Sequence, residues 1–126
     1  MIYNIHERYS VKFYKDSRTG RSKVREYINH LEKRVQEKVW KYMDHLRDND
    51  AYLDEPYSRH IDWKLRELRV DFANKRFRIF YFCVVNKRII ILHAYLKKTE
   101  KTPPREIWRA KTYLFDYLNN LDKYEK

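Results

Sequence analysis

The order of hydrophobic and polar positions predicts strands separated by helices. Residues 9–14 alternate in a short β-prone segment and predict a first strand. Hydrophobic residues then recur at helical spacing from Ser22, a suitable N-cap, to Asp48. One unbroken helix of that length would span about 40 Å, which exceeds the usual size of so small a domain. We therefore expect two helices, with a break near Glu32–Arg34.

The second half of the chain predicts three strands and a helix. Asp48–Pro56 is expected to be a loop. The strand-like segments are Lys64–Phe72, Arg76–Val85 and Arg88–Lys97. Asn86–Lys87 fits a hairpin connector, and a helix is expected from Pro104. The order β-α-α-β-β-β-α predicts an α+β fold, in which two N-terminal-half helices and a C-terminal helix pack on one face of a mainly antiparallel sheet.

Composition and charge narrow the class of protein. A length of 126 residues fits a single domain over 1–126. The net charge of +11, from 29 Lys and Arg against 18 Asp and Glu, implies a polyanionic partner: RNA, DNA, an acidic protein or an anionic membrane. A hydrophobic content of 43% excludes a disordered basic tail. Twelve tyrosines are compatible with base stacking, although they also pack in cores.

Several kinds of chemistry lack the residues that they need. One glycine excludes a Gly-rich phosphate loop. Neither CxxC nor HExxH is present, so we expect no metal and no other cofactor. Cys83, the lone cysteine, indicates a reducing compartment, and residues 1–20 have no apolar signal core. We therefore expect a cytoplasmic protein that does not contact a membrane.

A basic cluster is predicted where the three later strands end. Because side chains alternate along a strand, Glu67 shares a side with Arg69, and Arg76 shares a side with Arg78. If the strands are neighbours, six basic side chains converge: Arg69, Arg76, Arg78, Lys97, Lys98 and Lys101. An alternative of equal weight is a solvent-exposed face of the strands on which these charges are scattered. Alternation of basic residues with Tyr and Phe favours an RNA groove.

His93 follows four apolar residues in the last strand. A lone histidine in a strand is more often structural than catalytic. Its closeness to Lys97 and Lys98 favours catalysis, since neighbouring cations lower the pKa of an imidazole. Both interpretations stay open at this stage.

The segment from Glu55 to Lys111 resembles the HigB-like branch of the RelE/ParE superfamily of type II toxins. The matching pieces are EPYSRHI, KLRELRV, RFRIFYF, IIILHAYLKKTEKTP and REIWRAK. The run LHAYLKKTEKTP is the most specific of them. The chain departs from the pattern before RFRIFYF, where family members often carry Gly and this sequence has Asn74–Lys75. That difference leaves the turn geometry open.

The resemblance implies a compact RelE-like fold and ribosome-dependent cleavage of mRNA in the decoding site of the small subunit. It also implies a cognate antitoxin encoded alongside, with a helix-turn-helix DNA-binding domain. By position, Arg78 corresponds to the strand arginine used at the scissile phosphate, and Arg69 to the arginine of the ELR motif. Lys97 and Lys98 correspond to the basic pair, and His93 to the LH position.

Metal-free cleavage would use the 2′-OH as an internal nucleophile, and it needs a base, an acid and cations at the phosphate. Arg78 and Arg69 are assigned to the phosphate. Lys98 or His93 would be the base or the acid, in an order that stays open. The residues expected to bind RNA are Lys97, Lys101, Arg76 and Tyr95.

Two other functions are compatible with the sequence. A ParE-like toxin shares the superfamily but inhibits DNA gyrase, and it would not need the basic residues and His93 together. A basic RNA-binding module without catalysis predicts salt-sensitive binding and no toxicity.

Overall fold

The computed structural model describes residues 8–84 and 86–124. Those residues form five strands and four helices. In chain order they are β1 (Ser10–Phe13), α1 (Lys23–Asn29), α2 (Lys33–Asp48), β2 (Ser58–Asp62), β3 (Leu65–Phe72), β4 (Lys75–Val84), β5 (Arg88–Lys97), α3 (Pro104–Asn119) and α4 (Leu121–Tyr124). None of these helices combines the length and apolar character that a membrane span requires.

The five strands form one sheet in the order β1-β5-β4-β3-β2. β1 runs parallel to β5, and every other neighbouring pair is antiparallel. The predicted α+β class with a mainly antiparallel sheet is therefore confirmed, and it is consistent with a RelE-like fold.

The predicted break in the first helical region is confirmed. α1 ends at Asn29 and α2 begins at Lys33, so the chain turns between them. Ser22 is the N-cap of α1, and its hydroxyl accepts a hydrogen bond from the backbone N–H of Arg25 at 3.3 Å. The side chain of Gln36 donates to the carbonyl of Leu31 at 2.7 Å, which satisfies a backbone acceptor at the turn.

Two elements were missing from the prediction. β2 lies at the edge of the sheet, where its segment SRHID carries few apolar residues because one side faces solvent. The short α4 follows α3 at Leu121. The last residue of the predicted strand Arg76–Val85, Val85, lies outside the described residues.

The prediction that all helices pack on one face was wrong, because the sheet is covered on both faces. α1 and α2 pack on the side formed by Leu68, Val70, Ile79 and Ile91, among others. α3 packs on the opposite side through Ala110, Leu114 and Tyr117, against Phe80, Phe82, Ile90 and Leu92. The inner strands β4 and β5 are apolar at successive positions because both of their faces are buried.

The two hairpins that frame β4 use left-handed backbone without glycine. Ala73 and Asn74 have φ angles of 47° and 67°, and they connect β3 to β4. Asn86 and Lys87 have φ angles of 76° and 59° ahead of β5. Consecutive left-handed residues are typical of the tight turn whose twist suits antiparallel strands. The hairpin between β3 and β4 therefore forms without a glycine.

Candidate functional site

The α3-facing side of the sheet carries the predicted basic residues. Arg69 on β3 is the register partner of Arg78 on β4, and Arg76 is the partner of Lys97 on β5. Alternate residues of these strands, such as Val70 and Phe77, pack with α1 and α2. The side chains of the four basic residues therefore project towards the other side, where α3 lies.

Arg78 is buried, with 1% of its surface exposed. Its Nη1 donates to Oδ1 of Asp71 at 2.6 Å and to the carbonyl of Phe77 at 2.9 Å. Its buried Nε has no hydrogen-bond partner among the described residues. One edge of the guanidinium is thus fixed, while another donor is held without an acceptor. Because an unsatisfied buried donor is costly, Nε is available to a further acceptor.

Glu67 lies among these cations and was not among the predicted site residues. It is fully buried, and its Oε2 accepts from the hydroxyl of Thr102 at 3.3 Å. Its Oε1 has no hydrogen-bond partner within the described chain. Because Glu67 lies two residues before Arg69, the sequence predicted that the two share a strand face. The sequence did not predict that Glu67 is buried. We use "buried cluster" for Glu67, Arg69, Arg78 and Lys97.

Lys97 is the lysine that the structure places inside the buried cluster, with 6% of its surface exposed. Burial is the main reason that its pKa is lowered, since an ammonium group loses solvation there. The charge of Glu67 opposes this change. Further lowering comes from the nearby cations Arg78, Arg69 and Arg59. The amine of Lys97 is consequently easier to deprotonate than an ordinary lysine.

Lys98 and Lys101 are exposed, in the segment 98–103 that follows β5. The hydroxyl of Thr99 donates to the carbonyl of Lys101 at 2.7 Å within this segment. The contact between Thr102 and Glu67 places the segment against the buried cluster. Thus two of the six predicted basic residues lie at the solvent side, and they are not packed with the other members.

His93 packs under α3 and contacts a carboxylate there. Its Nε2 lies 3.0 Å from Oε1 of Glu106, and both side chains are 12% exposed. The imidazole stacks on Phe80 at 6.2 Å, while Tyr113 meets its edge at 6.1 Å. Burial lowers the pKa of His93, and the contact with Glu106 partly offsets this. These contacts fit the structural interpretation, and a catalytic role for His93 stays a prediction.

Tyr95 is buried between other rings. Its ring centroid lies 5.8 Å from that of Phe80 and 6.1 Å from that of His93, in nearly parallel planes. Burial is the main cause that raises its pKa to about 12. The ring stacks within the protein, so base stacking by Tyr95 stays a prediction that requires rearrangement.

The lowered pKa of His93 predicts that stability decreases in mild acid. Below the unfolded-state pKa of about 6.5, the unfolded chain binds a proton that the native imidazole resists. Stability should therefore fall as pH drops through about 6.5 towards the lower native value. His93→Gln should remove up to about 1.4 kcal/mol per pH unit of that dependence. Urea unfolding of both proteins between about pH 5 and 7.5 measures it; equal slopes would contradict the prediction.

The described residues contain no group of three or more His, Cys, Asp or Glu side chains placed to hold a metal ion. Residues 26–114 match the model of a protein family described as Phage derived protein Gp49-like (DUF891). The matched range includes every member of the buried cluster and most of α3. Among curated proteins, no sequence matched the chain.

Proposed function

Since this chain belongs to the Gp49-like family, a RelE/HigB-like family of toxins from toxin–antitoxin systems, we propose that it is a HigB-type endonuclease that cleaves messenger RNA on the ribosome. The observation that carries the proposal is the buried cluster, in which Arg69, Arg78 and Lys97 share one sheet face with the buried carboxylate of Glu67. A lysine whose pKa is lowered by burial, held beside two arginines, is typical of sites that act on phosphate.

The cleavage step follows from the chemistry of these groups. Lys97, as the neutral amine, takes the proton of the 2′-OH, and the 2′ oxygen attacks the adjacent phosphorus. Arg78 and Arg69 neutralise the charge that develops on the phosphate oxygens. The bond from phosphorus to the 5′ oxygen breaks, and Lys98 donates a proton to that oxygen. The products are a 2′,3′-cyclic phosphate and a 5′-hydroxyl end.

Lys97 replaces Lys98 and His93 as the proposed base for two reasons. Its pKa is lowered by burial and by the neighbouring arginines, which increases the fraction of free amine. His93 lies against Glu106 and among aromatic rings. Lys98, exposed beside the cluster, suits a proton donor.

RNA reaches the buried cluster when the segment 98–103 moves. Arg78 and Lys97 are almost completely covered in the free protein, and Thr102 contacts Glu67. The exposed lysines 98 and 101 lie on this same segment. A phosphate backbone that binds these lysines better when the segment 98–103 has moved away stabilises that open conformation. RNA binding is thereby coupled to exposure of the buried cluster.

We also propose the partners that this activity requires. The small ribosomal subunit presents the mRNA, and the charge of +11 favours approach to so anionic a surface. A cognate antitoxin, with a helix-turn-helix DNA-binding domain, neutralises the toxin.

Transcript mapping after induced expression tests this function. We expect growth arrest and new mRNA 5′ ends at codon positions for the wild type. Lys97→Met keeps a similar volume but removes the base, so the cleavage should decrease by about 10²-fold or more. Lys41→Met, an exposed lysine on α2, is the matched control and should behave as the wild type. Growth arrest without new 5′ ends would contradict the endonuclease and favour a gyrase-directed toxin.

One observation favours a second candidate, a basic module that binds RNA without cutting it. Arg78 and Lys97 are buried, and Asp71 pairs with Arg78, as in a structural ion network. This function predicts salt-sensitive binding to ribosomes or RNA with no new transcript ends and no growth arrest. The same mapping experiment separates the two candidates.

A further inference from the structure

Three aromatic side chains are exposed on or beside α3, and none of them is a member of the buried cluster. Trp63, Trp108 and Phe115 are 56%, 68% and 52% exposed, in a chain with a mean hydropathy of −0.95. A chain this polar has enough polar residues to occupy these exposed positions instead. Large apolar side chains that stay exposed in a polar chain are typical of protein interaction sites.

Two of these rings form one wall of a groove. Trp63 stacks on Phe115 with centroids 6.4 Å apart and planes 29° apart. Beside them lies a cavity of about 340 Å³, which is also lined by Leu65 and Leu114. Lys111 of α3 pairs with Asp62 of β2 at this cavity. The floor is therefore apolar, and the charged groups stand at its margin.

The groove continues along α3. A second cavity, of about 290 Å³, is lined by Lys64, Phe82, Leu118 and Leu121 among others. Leu114 and Leu118 are one helical turn apart, and Trp63 precedes Lys64. The two cavities thus share α3 and the β2–β3 turn. We use "α3 groove" for the surface formed by Trp63, Lys64, Leu114, Phe115, Leu118 and Leu121.

The turn that presents Trp63 is held in an unfavourable conformation. Trp63 has a φ angle of 50°, which is rare for a bulky side chain. The carbonyl of Trp63 accepts a hydrogen bond from Nε2 of His60 at 2.6 Å, and the ammonium of Lys64 lies 5.3 Å from the indole centroid. Backbone strain that is retained while a large ring stays exposed points to a function of that ring.

We propose that the α3 groove binds the apolar face of an acidic amphipathic helix, and that the helix belongs to the antitoxin. A groove lined by side chains along a helix suits this mode of recognition. Lys64 and Lys111 stand along it with Asp62, and the net charge of the chain is +11, so acidic flanks on the partner complement its charge. A second copy of this chain, also at +11, would be repelled. The identity of the partner rests on the proposed function.

Co-expression separates docking from toxicity. The double variant Trp63→Ala and Phe115→Ala removes both rings of the groove wall and leaves the buried cluster intact. Expressed alone, it should arrest growth as the wild type does. Co-expressed with the product of the reading frame adjoining the toxin gene, it should no longer be neutralised. The affinity of the purified pair should decrease at least about 30-fold. Tyr52→Ala, at a residue that is 55% exposed, is the matched control.

The outcomes distinguish the docking site from the function. If the double variant binds that product within about threefold of the wild type, the docking site is wrong, whether or not the protein is toxic. If the wild type does not arrest growth but the double variant loses binding, the docking site stands and the proposed toxin function fails. Thermal unfolding checks the fold, and Trp63→Ala alone, on an exposed turn, serves if the double variant is unfolded.

Discussion

Arg78→Lys is expected to decrease the rate of mRNA cleavage by about 10²- to 10³-fold, the effect of losing one preorganised donor to the developing charge. Lysine keeps the positive charge and the aliphatic stem but lacks the planar fork of donors. In the native protein, one nitrogen of that fork holds Asp71 and the carbonyl of Phe77, and Nε is left for a further acceptor. A lysine ammonium cannot bind Asp71 and the carbonyl of Phe77 and still present a donor to a further acceptor in the same plane.

Because Arg78 is buried, a substitution that tests its role has to fill a similar volume. Because the side chain is 1% exposed, Arg78→Ala would leave a cavity and an unpaired carbonyl, and a loss of activity would also report a loss of stability. Single-turnover cleavage on programmed ribosomes, with circular dichroism beside it, measures the chemical effect of Arg78→Lys. Arg34→Lys, at an exposed position on α2, is the matched control. Undiminished cleavage by Arg78→Lys would remove Arg78 from the mechanism.

Elements with a strong hydrophobic pattern could be predicted from the sequence, whereas the polar edge strand β2 could not. β4 and β5 alternate and carry long apolar runs, so their hairpin was evident. β2 is mostly polar, because an edge strand with one solvated side buries few residues, and it has no comparable signal. The break between α1 and α2 followed from the length of a single helix rather than from any residue at the break.

The placement of the helices was open to prediction but was interpreted incorrectly. Ile89 and Ile91 pack with α1 and α2, while Ile90 and Leu92 pack with α3. A strand that is apolar at four successive positions requires cover on both faces. The sequence carried that information in the segment RIIIL, and a one-faced arrangement does not satisfy it.

The sequence indicated that the strand arginines and Lys97 lie close together, but it did not indicate how deeply they are buried. Strand alternation grouped Glu67 with Arg69 and Arg76 with Arg78, and the observed register pairs Arg69 with Arg78 and Arg76 with Lys97. Burial depends on the cover supplied by α3 and the segment 98–103, which no local pattern specifies. For that reason the carboxylate of Glu67 and the altered pKa of Lys97 became visible only in the assembled fold.

Glu67→Gln is expected to change both the stability and the pH dependence of the protein. The amide keeps the shape of the side chain but leaves the arginines and Lys97 without their buried counter-charge. Removing one partner of a buried ionic group costs about 3–5 kcal/mol. Urea unfolding at neutral pH measures that loss. Glu37→Gln, at an exposed position on α2, is the matched control, for which we expect a change of at most about 0.5 kcal/mol.

The pH profile of Glu67→Gln tests the proposed base independently of stability. The charge of Glu67 raises the pKa of Lys97, so its removal lowers that pKa further. If the neutral amine of Lys97 is the base, the cleavage rate rises with pH through this pKa, and the rising limb should move to lower pH in the variant. A merely structural role for Glu67 would reduce the rate at every pH and leave the limb in place. An unmoved limb in a folded, active variant would therefore exclude Lys97 as the base.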